Sequence, residues 1–188
     1  ICDKQEWLLM IDEVQCGIGR TGKWFGFQHA GVMPDVITLA KGLGSGVPIG
    51  ACVAAGKATG VFGPGNHGST FGGGPVVCAA SLATLHAIEE EGLLEKSTQT
   101  GEWIRAQLRE RLAGVAGVKE IRGRGMMMGI ELDRPCADIV ARARAQNLLV
   151  NVTGEKVVRL LPPLNFSQAE AEQLVKTLAP IIKEFLAA

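Results

Sequence analysis

At 188 residues, 47% hydrophobic and 20% charged, the chain has room for one domain or two small ones around a real core and reads as a soluble globular protein. Lysine plus arginine (19) equals aspartate plus glutamate (19), so no net field recruits nucleic acid or an anionic membrane, and neither is expected as a partner. Five scattered cysteines without a C-x-x-C pair and three isolated histidines indicate reduced thiols in a cytoplasmic setting and no metal site.

The first element predicted is a strand over residues 7–12. Its apolar run Leu8-Leu-Met-Ile11 suits a strand buried on both faces of a parallel sheet, and it ends on two acids, Asp12 and Glu13. Such a strand needs neighbours on each side, which few segments here supply, so the chain reads as the C-terminal part of a longer one. A glycine-punctuated stretch follows, then Lys23 to Met33, a packed loop or short helix ending at Pro34. Residues 35–40 form a second strand, closed by Lys41 and the glycine-rich Gly42-Leu-Gly-Ser-Gly46. Ile49 to Ala55 is a third.

Pro75 opens a helix that runs from Val76 to Glu91 before Gly92. Its apolar positions go most of the way round, so it is expected to lie buried between layers. From residue 94 the pattern changes. Leu94 to Leu112 is an amphipathic helix with Ile104, Leu108 and Leu112 at one face. Strands are expected near 118–122 and 127–132, a helix over 137–146, and further strands at 149–152 and 157–161. The last helix carries a capping box, Ser167 with Glu170, and an apolar face from Leu174 to Leu186, with a kink expected at Pro180. These elements predict an α/β class in two parts: residues 1–97, the end of a larger domain, and residues 98–188, a small α+β domain.

Glycine is abundant, 25 residues against an expectation of about 7%, and the excess clusters between Gly17 and Gly74. Loops packed near a ligand explain that better than disorder. Gly17-Ile-Gly-Arg-Thr-Gly22 is literally G-x-G-x-x-G after a strand. As a dinucleotide site it fails, because its first glycine lies several residues beyond the strand and the following segment makes a poor helix. The more telling pair is a strand-end carboxylate, Asp12, and a strand-end lysine, Lys41. Open α/β sheets place ligand chemistry at the carboxyl ends of their strands. A lysine that makes a Schiff base and an aspartate that keeps a pyridinium nitrogen protonated are what a pyridoxal phosphate site needs.

Three motifs carry a family resemblance. Asp12-Glu-Val-Gln-x-Gly-x-Gly-Arg-Thr-Gly22, Thr38-Leu-Ala-Lys-Gly-Leu-Gly-x-Gly-x-Pro-Ile-Gly50 and His67-Gly-Ser-Thr-Phe-Gly-Gly73, in that order, resemble the class III aminotransferases, pyridoxal 5'-phosphate enzymes of fold type I. The resemblance covers essentially the whole chain. It implies the C-terminal part of a large mixed-sheet cofactor domain followed by a small C-terminal domain. Lys41 would be the catalytic lysine, joined to the cofactor as an aldimine and later shuttling the substrate proton. Asp12 would partner the ring nitrogen, Val14 lie against the ring and Gln15 bond its oxygen, with Glu13 in the same wrap-around loop either as a direct cofactor contact or as a structural loop acid. Thr70 would reach the phosphate of a partner subunit in a homodimer with shared active sites, and Ser69 would touch substrate. Arg159, on an otherwise apolar strand, would bind a substrate carboxylate. Arg20, Arg122 and Arg124 read as loop and strand anchors, and Gly74 departs from the asparagine usual there.

Two further segments, Ile121-Arg-Gly-Arg-Gly-Met-Met-Met-Gly-Ile-Glu-Leu132 and Leu148-Leu-Val-Asn-Val-Thr153, are most similar to family members that exchange an amino group between N-acetylornithine and 2-oxoglutarate in arginine biosynthesis. Members acting on ornithine, succinylornithine or 4-aminobutyrate share the rest. The resemblance places the phosphate cradle upstream of this chain. By itself the chain is therefore expected to be inactive, and an inert truncated fragment is the alternative reading.

Overall fold

A computed structural model describes all residues from Ile1 to Ala188. They form two compact units, Ile1–Leu94 and Glu95–Ala188.

The first unit holds a three-stranded sheet in the order β1-β2-β3, with β1 Met10–Asp12, β2 Val36–Leu39 and β3 Ala51–Ala54. β1 and β2 run parallel with Asp12 opposite Thr38, and β3 is antiparallel to β2. Parallel neighbours need a long crossover. Here it is residues 13–35, built of turns and one short 3-10 helix, Gly26–His29. No βα helix follows Gly17–Gly22, in keeping with the rejection of a dinucleotide site. Helix α1, Pro75–Glu90, closes the unit, with Pro75 in its first turn.

Two expectations are corrected here. β1 is not buried on both faces: it pairs only with β2, and Met10 and Leu8 are 66% and 39% exposed. Nor is α1 enclosed between layers, for only Ser81 and Ile88 on it are buried while Val76 and Leu82 stand out in solvent. The cause is common to both. Hydrophobic patterning reports which surfaces need cover, and this chain carries too few elements in the unit to supply it.

The second unit has a closed core. Helix α2, Leu93–Arg111, precedes β4 Val118–Arg124 and β5 Met127–Leu132; α3 is Asp138–Ala145, β6 Asn151–Thr153, β7 Val157–Leu160 and α4 Gln168–Ala187. The sheet order is β4-β5-β7-β6, antiparallel throughout. Period-two alternation sends Met128, Ile130 and Leu132 of β5 and Val158 and Leu160 of β7 into the core. There they meet Ile104 and Leu108 of α2, Ile139 of α3 and Leu174, Leu178 and Ile182 of α4. Each such side chain contributes about 1.5–3 kcal/mol by leaving water. α4 starts as its sequence predicts: the Ser167 hydroxyl accepts from the Glu170 amide, and the Glu170 carboxylate accepts from the Ser167 amide at 2.8 Å. The helix continues through Pro180. No helix is long and apolar enough to cross a membrane.

Candidate active site

The parallel pairing of β1 with β2 brings two strand ends to one edge of the first sheet. Asp12 is the last residue of β1, and Lys41 follows β2 two residues after Leu39. The Asp12 carboxylate is exposed and accepts one bond, from the Val14 amide at 2.9 Å. That Asx-type turn bends the chain out of the sheet and leads into Val14 and Gln15, both half-buried.

Glu13, next along, is almost completely buried, and its carboxylate faces away from solvent. Its two oxygens accept from the amides of Gly26 at 2.9 Å and Phe27 at 2.8 Å. Its own amide donates to the Thr38 carbonyl at 3.0 Å. Glu13 therefore pins the middle of the crossover loop against β2. Gly17 packs under this clasp, where a Cβ would come within 2.7 Å of the Glu13 carbonyl oxygen. The neighbouring thiol reports the same environment: burial, then the Glu13 carboxylate bonded to it, push the Cys16 thiol up to about 11.

Lys41 opens a single 3-10 turn, Lys41–Leu43, with a left-handed backbone at φ 45°. A non-glycine residue in that region stores strain and is concentrated at ligand sites. The Leu43 side chain, buried, anchors the turn, and the Gly44 amide closes it on the Lys41 carbonyl at 3.2 Å. The lysine itself is exposed and its ammonium makes no ion pair or hydrogen bond within the chain.

Ser69 and Thr70 lie on a different loop, ahead of α1. The Ser69 hydroxyl accepts from the Gly72 amide at 2.9 Å, which folds the loop back, and Thr70 is exposed. Beside it Pro48, Ile49, Phe71, Gly73 and Val77 line an open groove of about 510 Å³. Gly74 has extended backbone at φ −62°, ψ 154°, so its departure from the family asparagine needs no glycine-specific path.

Arg159 belongs to the second unit. It lies on β7 between Gly129 of β5 and Asn151 of β6, and its Nε donates to the Asn151 side-chain oxygen at 2.9 Å. Arg122, in the same row of the sheet, is paired with Glu120 and Glu131 and so anchors its own strands. The structure thus brings together Asp12, Glu13, Val14, Gln15 and Lys41, and sets Ser69, Thr70 and Arg159 on separate elements. Sequence reasoning left Glu13 between a structural loop acid and a direct contact without its partners, and did not foresee the bond from Arg159 to Asn151. Only the hairpin register across Gly154 could have signalled the latter.

The family model for class-III aminotransferases matches residues 1–182. Among curated relatives, an acetylornithine aminotransferase 1 of Bordetella bronchiseptica is 62% identical over 187 residues, covering 100% of this chain and 48% of its own length. An acetylornithine aminotransferase of Nitrosomonas europaea is 59% identical, covering 99% and 47%. Among solved structures, an ornithine aminotransferase from Toxoplasma gondii superposes with TM-score 0.93 at 34% identity, covering 98% of this chain and 45% of its own. An acetylornithine aminotransferase from Elizabethkingia anophelis gives 0.90 at 33%, covering 98% and 47%. The chain spans about half the length of the curated relatives it matches. A match of this extent, with the three motifs set at the sheet edge and its flanking loop, settles the family: the chain belongs to the class-III aminotransferases, pyridoxal-phosphate-dependent enzymes of fold type I.

Proposed function

We propose that the whole protein transfers an amino group between N-acetylornithine and 2-oxoglutarate, in the cytoplasm, in arginine biosynthesis. The observation that carries this reading is Asp12 and Lys41 at the carboxyl edge of one parallel strand pair. The donor set fits the family's cofactor: an exposed carboxylate with one backbone partner suits a cationic ring nitrogen, and an unpaired amine suits an aldehyde. In this reading residues 1–97 belong to the cofactor domain and 98–188 to the small domain.

Pyridoxal phosphate, when bound, supplies an electron-accepting ring that stabilises negative charge at the substrate's amine-bearing carbon. Asp12 would keep the ring nitrogen protonated by opposite charge. Lys41 would hold the cofactor through its side-chain amine and, with that amine free, would take and return the proton at the substrate's reacting carbon. Val14 would supply an apolar surface for the ring, and Gln15 would supply an amide donor for its oxygen. Glu13 acts behind them by fixing the loop they stand on. Thr70 offers its hydroxyl to a phosphate oxygen of the neighbouring subunit in a homodimer with shared sites, and Ser69 touches substrate. Arg159 recognises a substrate carboxylate through its planar fork.

The choice of donor rests on identity. Curated relatives named for acetylornithine reach 62%, while among solved structures an acetylornithine and an ornithine aminotransferase stand level at 33% and 34%. Borohydride reduction of the whole protein with its cofactor, followed by peptide mass analysis, tests the site: the pyridoxyl mass belongs on the peptide holding Lys41, and a label on any other lysine refutes it. Spectral titration with N-acetylornithine, ornithine, succinylornithine and 4-aminobutyrate tests the donor.

A further inference from the structure

Two arginines occupy one row on the same face of the second sheet, and their partners differ in charge. Reading across the strands, the row is Arg122, Gly129, Arg159, Asn151. Arg122 is held by the carboxylates of Glu120 and Glu131, which cancel its charge locally. Arg159 is held instead by a neutral acceptor, the Asn151 side-chain oxygen, at 2.9 Å from Nε. On its other flank stands Gly129, with no side chain to compete for the guanidinium.

A guanidinium can present two forks to a carboxylate, one through Nε with a terminal nitrogen and one through both terminal nitrogens. The Asn151 bond occupies Nε, so the first fork is closed and the second remains. We propose that Asn151 is a positioning residue: it locks Arg159 so that the two terminal nitrogens face the substrate carboxylate, while adding no counter-charge of its own. The proposal rests on the reading of Arg159 as the carboxylate-binding residue. It also accounts for the selection between the two arginines. Arg122 is already engaged by two carboxylates, whereas Asn151 orients Arg159 without adding a counter-charge.

The test uses the whole protein with its cofactor and four variants: Asn151→Leu, Asn151→Asp, Arg159→Lys and the Asn151→Leu/Arg159→Lys double. Calorimetric binding of glutarate, a dicarboxylate with no keto group, gives a readout without turnover, and KM and kcat for 2-oxoglutarate give a second. Asn151→Leu is expected to weaken glutarate about fivefold, and to raise KM by a larger factor than it lowers kcat. Asn151→Asp keeps the acceptor but adds a charge, so it should weaken glutarate more than leucine does. In the Arg159→Lys background the leucine change should add less than about twofold, because lysine has no Nε to hold. Unchanged glutarate binding in Arg159→Lys overturns the reading of Arg159 itself. If Arg159→Lys weakens binding while Asn151→Leu does not, or if the leucine effect is the same in both backgrounds, the positioning role falls alone. Aspartate binding glutarate as well as asparagine does would likewise overturn it.

Discussion

Replacing Glu13 by glutamine probes the clasp on which the loop after Asp12 stands. The two carboxylate oxygens each accept one backbone amide, Gly26 at 2.9 Å and Phe27 at 2.8 Å, in a residue that is 1% exposed. Glutamine keeps the shape but replaces one acceptor by an NH2, which then faces an N–H donor. One charge-assisted bond becomes neutral and the other becomes an opposed donor pair with an orphaned amide. Hydrogen bonds to charged groups contribute roughly 1.5–3 kcal/mol, and an orphaned buried donor costs roughly 1–3 kcal/mol, so the variant should lose about 2–4 kcal/mol locally. Amide hydrogen exchange at Gly26 and Phe27 reads this directly: protection should fall about 30- to 1,000-fold. A second signal comes from Cys16, whose thiol sits up at about 11 partly through Glu13. Its alkylation, followed peptide by peptide against pH, should shift to lower pH in the variant. Unchanged protection at both amides, together with an unchanged Cys16 profile, would refute the clasp.

Gly44→Ala should destabilise the turn after Lys41 by about 1–3 kcal/mol, since the new Cβ would lie 2.1 Å from the Val47 carbonyl oxygen; denaturant unfolding measures it. Asp35 accepts from the amides of Leu9 at 2.8 Å and Lys57 at 3.2 Å, bonds that hold its carboxyl below the usual carboxylate range. A lowered folded value means the contribution is complete above the ordinary carboxylate pKa and disappears as pH falls through the folded one, so Asp35→Asn should flatten the acid limb of stability against pH. Ser167→Ala removes the cap of α4 and should cost about 1 kcal/mol in thermal or denaturant unfolding. If sites are shared across a dimer, mixing Lys41→Ala with Thr70→Ala subunits should restore partial activity, because one site of each mixed dimer carries both defects and the other carries neither. A mixture no more active than either variant refutes sharing.

What could be read from the residues follows the range of the interactions involved. β2 and the last helix are visible because their signals are local: a run of β-branched residues, Val36-Ile37-Thr38, and a serine three residues before a glutamate. The pairing of Asp12 with Lys41 at one edge follows from two apolar runs that each end on a charge. Glu13 was ambiguous for the opposite reason. Its partners lie 13 and 14 residues away, and the path between them is set by turns rather than by any period. α1 misled differently. Its apolar residues go round the helix, which identifies surface that should be covered but says nothing about whether this chain supplies the cover, and Val76 at 77% exposed shows that it does not. Asn151 carries no pattern at all, since its meaning depends on the register of β6 against β7.

That register links the core of the second unit to the placing of Arg159. Val158 and Leu160 point into the core and are nearly fully buried, so Arg159 between them must stand on the opposite face. A slip of one residue would bury the guanidinium and expose two apolar side chains. Burying an unpaired charge costs several kcal/mol, and each exposed apolar side chain forfeits about 1.5–3 kcal/mol. The same arithmetic holds Asn151 opposite Arg159, because Val152, the next residue of β6, packs with Val158 against the core. Direction on the sheet is thus enforced by core-facing neighbours on the opposite face. What packing leaves undetermined is the rotation of the guanidinium about its own long, flexible stem, and a single hydrogen bond to Nε is enough to remove that freedom. The strand supplies position at the scale of the fold, and Asn151 supplies orientation at the scale of one side chain.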